Sequence, residues 1–334
     1  MSVIREALDV LSIGPATESG RLTMHPLIRE DLIEPHYLTL DQALDLGVIQ
    51  ITEVSQSGSV PELMVTNRGK QPVFLLDGEE LRGAKQNRVL NVSILIPGER
   101  KVVVPVSCVE QGRWSQQTRS FMAADHTMPA RMRMAKAKQV SHSLAYEGSR
   151  RSDQSALWTD VSERLCCMEV ESPTGAMDAI YTKKRVDIDE IVNQMGPLDG
   201  QVGAVFAIDG LIVGMELFDN QGTLQRLLPK IVRSYAVEIL TPGKQVRPLK
   251  PEDPRDFLEA VGSSASQTFE SPGLGQELRL RGEGIIGAAI VHEDVLIHLN
   301  AFRTQGEDED NIAGDRVRMT PLGQRRRNRS ASSR

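Results

Sequence analysis

From residue 48 to residue 107 the apolar positions fall in short runs separated by turn residues, the signature of strands rather than helices. The runs 48–54, 63–66, 73–76, 89–96 and 102–106 predict strands, with turns at 67–70 and at Pro97-Gly98. Short strands joined by tight turns favour antiparallel pairing. An earlier strand is expected around 22–28. In "TLDQALDLGVI" Thr39 and Gln42 match a capping box and Gly47 a helix stop, so a short helix is expected between them.

The pattern then changes period. Residues 130–146 are rich in Ala, Lys, Arg and Met, all good helix formers. Ser152 is placed to cap a second helix with Leu157, Val161, Leu165 and Met168 along one face. Asp187 with Glu190 predicts a third start. A helical insert is therefore expected over 121–195. Strand patterning returns in "GQVGAVFAIDGLIVGMELF", where Asp209-Gly210 is a strong hairpin signal. A helix follows with Leu224, Leu227, Leu228, Ile231, Val232 and Tyr235 on one stripe; Pro229 should kink it or restart it. Asp253-Pro254 opens another short helix. The last ordered stretch, "GIIGAAIVHEDVLIHLNAF" (284–302), matches 200–218 in length, in Gly at its first and fourth positions, in a central turn and in a final Phe. We read this as a repeated β-hairpin. The expected fold class is α+β, mainly antiparallel sheet with repeated hairpins, a helical insert and flanking helices. Residues 1–302 form one domain in this reading, and 303–334 a disordered charged tail.

Composition narrows the class. Aromatic residues make up 4% of the 334-residue chain, so the core should be aliphatic. A net charge of −6 gives no strong case for nucleic-acid binding. Three cysteines, Cys108 and the vicinal Cys166 and Cys167, make a poor disulfide framework and favour a reducing compartment. The N-terminus lacks the apolar core of a signal peptide, and no run approaches the ~20 apolar residues of a membrane helix. A cytoplasmic protein without a membrane partner is expected. The oligomeric state is left open.

The densest chemistry lies in "FLLDGEELRGAKQNRVLNVSILIP" (74–97). Polar residues here are expected at a strand end and on the loop beyond, a common place for binding groups. Glu79 and Glu80 can supply an acid or base, or oxygens for a divalent metal. Neighbours on a strand point to opposite faces. We therefore expect one of the two in a common pocket, and favour Glu80, which shares a side with Arg82. Lys85 and Arg88 suit a phosphate or carboxylate, and Gln86 and Asn87 can orient a ligand. In "PVSCVEQGRW" (105–114) Cys108 and Glu110 share a strand face, Arg113 offers an anion contact and Trp114 a stacking surface. The plain reading of Cys108 is a small buried residue. His292 and His298 lie on opposite arms of the last hairpin, where a pair can bind metal or move protons, although a lone strand histidine is more often structural. The basic stretch 131–151 reads as a lid over an anion or as an exposed helix. No Walker loop, GxSxG elbow or HExxH occurs.

These two motifs, with "GLIVGMELFDNQGTLQRLLPKIVRSYAVEIL", resemble the ARPP domain, the ADP-ribosylglycohydrolase- and rhodanese-phosphatase-associated domain, over roughly 13–302. The resemblance implies genomic company with ADP-ribosyl and phosphate chemistry and no settled reaction. It adds to the residue reading: a hydrolase-like site for a small anionic, nucleotide-like ligand of the ADP-ribose type. Glu80, Glu110 and Glu79 are its candidate acid–base groups, and Lys85, Gln86, Asn87, Arg88, Arg113 and Trp114 its ligand contacts. Two alternatives stand: a non-catalytic nucleotide-like binding module, and a scaffold in which the charged stretch is a structural ion-pair network.

Overall fold

Both hairpins of the sequence repeat form, and they lie side by side. In the computed structural model, which describes residues 2–30, 34–55, 58–59, 61–242 and 250–304, Gln201–Ile208 pairs with Leu211–Phe218 and Ile285–His292 with Val295–Arg303. The second strands of the two hairpins pair with each other, with Glu216 opposite Asn300. Those two residues occupy matching positions of the repeat, so a pseudo-two-fold axis runs between them. Bulges fall at matching places, Phe206/Ala207 and Ile290/Val291. Asp209-Gly210 and Glu293-Asp294 both turn through positive φ. Gly203 and Gly287 also correspond: a Cβ on either would lie 2.5 Å from a backbone oxygen of the next strand, Glu216 or Asn300.

The likeness extends beyond the hairpins. Helix Val3–Asp9 leads into strands Thr17–Ser19 and Leu22–Ile28, and helix Pro254–Gly262 into Ala265–Glu270 and Gln276–Gly282. Leu22–Ile28 flanks the first hairpin and Gln276–Gly282 the second. Together with Ser12–Ile13 these strands make a nine-stranded antiparallel sheet. The two helices cover one face over an apolar cluster that includes Leu8, Val205, Met215, Phe257 and Leu299. The other face packs on helix Gln221–Leu240, which runs unbroken through Pro229 from an Asn220 cap. The chain is thus a doubled frame with residues 29–200 inserted between the second and third strands of its first half.

That insertion holds two smaller sheets. The six-stranded one runs Phe121–Thr127, Glu79–Gly83, Arg88–Leu90, Arg100–Cys108, Glu62–Asn67, Ile49–Glu53. The three-stranded one joins Ile94–Ile96, Val73–Leu75 and Leu38–Thr39, the last in parallel. The capping box at Thr39 and Gln42 forms as expected. Several expectations need correction. The run 89–96 is two strands in two sheets: Asn91 N still bonds Pro105 O, but Pro105 has no N–H to return, and the Asn91 carbonyl accepts from Lys136 instead. The helical part begins at Ala130, since Phe121–Thr127 is a strand paired with Glu79–Gly83. Asp153, not Ser152, caps helix Gln154–Cys167, and the helix expected to start at Asp187 begins at Arg185. The class is α+β, with antiparallel pairing dominant. Of the expected tail, Arg303 is the last residue of strand Val295–Arg303, and 305–334 lie outside the described residues. No described helix is long and apolar enough to cross a membrane.

The basic helix Ala130–Glu147 is neither lid nor exposed helix at its centre. Arg133 and Lys136 are fully buried: Arg133 docks the insertion on the frame at the pseudo-axis, and Lys136 holds Asp77, which Asn300 of the frame also contacts. Lys136 pairs with Asp77 and donates to the carbonyls of Leu90 (2.8 Å) and Asn91 (2.9 Å). Arg133 pairs with Glu216 at 2.5 Å and lies 3.6 Å from Asp77. Asn300 donates to Asp77 (3.1 Å), and His298 joins Glu216 (2.7 Å) to Ser93 (3.0 Å). Burial pulls Lys136 down to about 8, against the pull of Asp77. Asp77, facing two cations, is held below its usual range although burial works the other way.

Candidate active site

The stretch 79–83 is a strand, not the loop expected from its polarity. Its side chains alternate as a strand requires, and Glu79 and Glu80 part company. Glu79 turns to Lys230 (2.8 Å), which also holds Asp41. Glu80 faces the other way, fully buried, with Oε2 2.9 Å from His126 Nε2. Its other oxygen accepts from Asn87 Nδ2 at 2.9 Å. His126 stands on the neighbouring strand, and its Nδ1 lies 3.1 Å from the exposed carboxylate of Asp125. Tyr181 stacks on the imidazole, with ring centroids 3.6 Å apart, and its hydroxyl donates to Thr127 O.

A third acid completes the group. Asp178 Oδ1, at the start of helix Asp178–Lys183, lies 3.9 Å from His126 Nε2. One ligand-type atom from each of Glu80, His126 and Asp178 lies within 4.8 Å of the others. Arg82, half exposed, reaches Asp178 at 3.4 Å, and Arg233 lies 4.0 Å from Asp125 and 2.6 Å from Asp189. The centre is therefore buried at Glu80 and His126 and open at Asp178, Asp125 and Arg82. Burial raises the Glu80 carboxyl above its usual range, more than His126 and Asn87 lower it. Burial would lower His126, yet the hydrogen bonds to Asp125 and Glu80 outweigh it and raise the imidazole.

Glu110 and Arg113 form the layer behind. Arg113 grips Glu110 with two nitrogens, at 2.9 and 2.6 Å, and donates to Asn87 Oδ1 at 3.1 Å. Glu110 also accepts from Asn87 N (3.0 Å) and Thr174 Oγ1 (2.8 Å). Burial would raise this carboxyl, but the bonds from Arg113, Thr174 and Asn87 hold it below the usual range. The segment that delivers Asp178 is pinned here too, through Gly112 N to Thr174 O and Met177 N to Val109 O. Gly83 lets the strand turn into this layer: its φ is +132°, and a Cβ would meet Thr118 Oγ1 at 2.7 Å.

Gln86, Arg88 and Cys108 turn away from Glu80, as alternation with Asn87 demands. Arg88 is buried and donates to Gln86 Oε1 at 3.0 Å, while its Nε and Nη2 have no hydrogen-bond partner. Cys108 is buried against Gln86 Oε1 and Glu110 O, and burial pushes its thiol up. Trp114 is half exposed, with Lys85 Nζ 5.3 Å and the Arg88 guanidinium 5.6 Å from its ring centre. His292 and His298 do not meet. His298 is opposite Ile290 and buried on Glu216, whereas His292 is opposite Val295 and near Glu293.

The structure thus brings Glu80, Asn87, Glu110 and Arg113 together, as the sequence reading grouped them, and places His126, Asp125 and Asp178 beside them, which that reading did not. The Asp125-His126 pair sits in "FMAADHT", whose strand character was masked by the helix formers that follow it. Asp178 carries no local signal at all.

Fold and site together define an α+β protein with a carboxylate–imidazole centre in a sheet inserted into a frame of two matching halves. Residues 10–302 match the family described as ARG and Rhodanese-Phosphatase-superfamily-associated Protein domain, and the chain belongs to it. No curated protein and no solved structure matches the chain.

Proposed function

We propose that the protein is a hydrolase for a phosphate-bearing, nucleotide-derived substrate of the ADP-ribose type, with Glu80, His126 and Asp178 as its reacting centre. The observation that carries the reading is the buried Glu80–His126 contact of 2.9 Å, with the partly exposed Asp178 and Arg82 beside it. A carboxylate and an imidazole in contact, both raised above their ordinary ranges, can take a proton from water at neutral pH and return it to a leaving oxygen. Arg82 and Arg233 at the rim supply charge for a phosphate. Asn87, Glu110 and Arg113 act as positioning residues: the Glu110 carboxylate already accepts four hydrogen bonds, which suits an anchor better than a base. Asp77 and Glu79 belong to structural ion pairs with Lys136 and Lys230. The family name, with its glycohydrolase and phosphatase association, fits this substrate class. The test is turnover of a broad panel of N-glycosidic and phosphoester substrates, ADP-ribosyl compounds included. We expect at least one ADP-ribosyl or nucleotide-derived member to be hydrolysed; purified, folded protein inert on the whole panel overturns the reading.

A further inference from the structure

We propose that Glu80 Oε2, His126 Nε2 and Asp178 Oδ1 bind a divalent transition-metal cation. The inference rests on the reading above for the substrate class but changes the roles. With a cation bound, Glu80 and His126 would serve as its ligands rather than as a free acid–base pair, and the ion would lower the pKa of a bound water. It stands on its own geometry. Three separate elements, two strands and a helix, bring one donor atom each to within 4.8 Å of the others. For metal–ligand distances near 2.0–2.1 Å, tetrahedral ligands lie about 3.3 Å apart. The Glu80–His126 and His126–Asp178 separations, 2.9 and 3.9 Å, bracket that value.

The groups behind the donors suit the assignment. Asp125 faces His126 Nδ1 at 3.1 Å, the position from which a carboxylate fixes the tautomer that turns the Nε2 lone pair toward a metal. Asn87 holds the far oxygen of Glu80 and leaves Oε2 to the ion. The long Arg82 contact to Asp178, 3.4 Å, is readily exchanged for a shorter metal bond.

Charge points the same way. Glu80, Asp125, Asp178 and Asp189 face Arg82, Arg185, Arg233 and the imidazole. With the imidazole neutral, four negative charges meet three positive ones, and the net negative charge favours a cation. Three protein donors leave positions for water and a substrate oxygen, as catalytic sites do. One imidazole with two carboxylates suits Mn²⁺, Fe²⁺ or Zn²⁺ more than Ca²⁺. Metal binding would displace any proton held between His126 and Glu80.

The probe is Mn²⁺, because it avoids the thiols of the exposed Cys166 and Cys167 that would confuse a zinc titration. The full chain is stripped with chelator and titrated while the spectrum of free Mn²⁺ is followed by electron paramagnetic resonance, with thermal unfolding in parallel. We expect one equivalent bound per chain and a saturable rise in melting temperature. Asp178→Asn, which alters a partly exposed residue and leaves the buried pair intact, should weaken binding at least tenfold, and His126→Gln should abolish it. Absence of saturable binding, or binding unchanged in Asp178→Asn, overturns the assignment. Binding without turnover of any substrate would keep the metal site and remove the hydrolase reading. Turnover unaffected by chelator and without Mn²⁺ binding would do the reverse.

Discussion

Replacing Lys136 with Met tests whether charge holds Asp77, the insertion's carboxylate at its seam with the frame. The side chain is fully buried, and its ammonium serves Asp77 and two backbone carbonyls. Met fills the stem but leaves Asp77 with Asn300 at 3.1 Å and Arg133 at 3.6 Å. Removing one partner of a buried pair costs about 3–5 kcal/mol; since Arg133 still faces the carboxylate, we expect about 3. Unfolding entropy near 2.1 cal/mol/K per residue over Met1–Arg303 gives roughly 0.6 kcal/mol/K, so the melting temperature should fall by about 5 °C. Circular dichroism melts and urea titrations read this directly. Adding Asp77→Asn should recover part of the loss, because the uncompensated charge goes with it. A Lys136→Met melt within 1 °C of wild type, or losses that simply add in the double variant, would refute the reasoning.

Three more outcomes follow from the same contacts. Lys230→Met strands the buried Glu79 carboxylate, which keeps only the Leu76 amide; stability should fall by about 3 kcal/mol in denaturant titration, with activity per folded molecule unchanged. Glu110 has a folded pKa below its unfolded one, so its contribution is present above the unfolded value, about 4.3, and is lost as pH falls through the folded value. Glu110→Gln should therefore be less stable than wild type at pH 7, and its melting curve should converge on wild type as the solution is acidified; curves that stay parallel contradict this. Arg82→Ala should raise KM about tenfold, a loss of about 1.4 kcal/mol of binding, and leave the melting temperature in place, since the Arg82 side chain is 47% exposed.

The parts of this protein visible in its sequence are those encoded locally. The Asp209-Gly210 turn, the Thr39 capping box and the matched hairpins need only neighbours in the chain. The hairpins even anticipated the doubled frame, because identical spacing of Gly, turn and Phe implies identical strand geometry. The helix around Arg133 and Lys136 misled for the opposite reason: charge on a helix reads as solvated, and only partners from far along the chain, Asp77 and Glu216, make burial tolerable. The same holds for the site. Glu80 was singled out by strand alternation, but its partner His126 is 46 residues on and Asp178 lies on a helix with no pattern linking it to either. Glu110 and Arg113 read as chemistry in the sequence; the contacts they make to each other, to Asn87 and to Thr174 are what our proposal takes as a positioning role.

The most direct test of the account is the turnover of Glu80→Gln beside wild type on whichever panel substrate is cleaved, with melting curves of both. General acid–base groups contribute roughly 10²–10⁴-fold. The account predicts a fall in kcat of at least 10² with the fold retained. Undiminished turnover in a folded Glu80→Gln protein would contradict it.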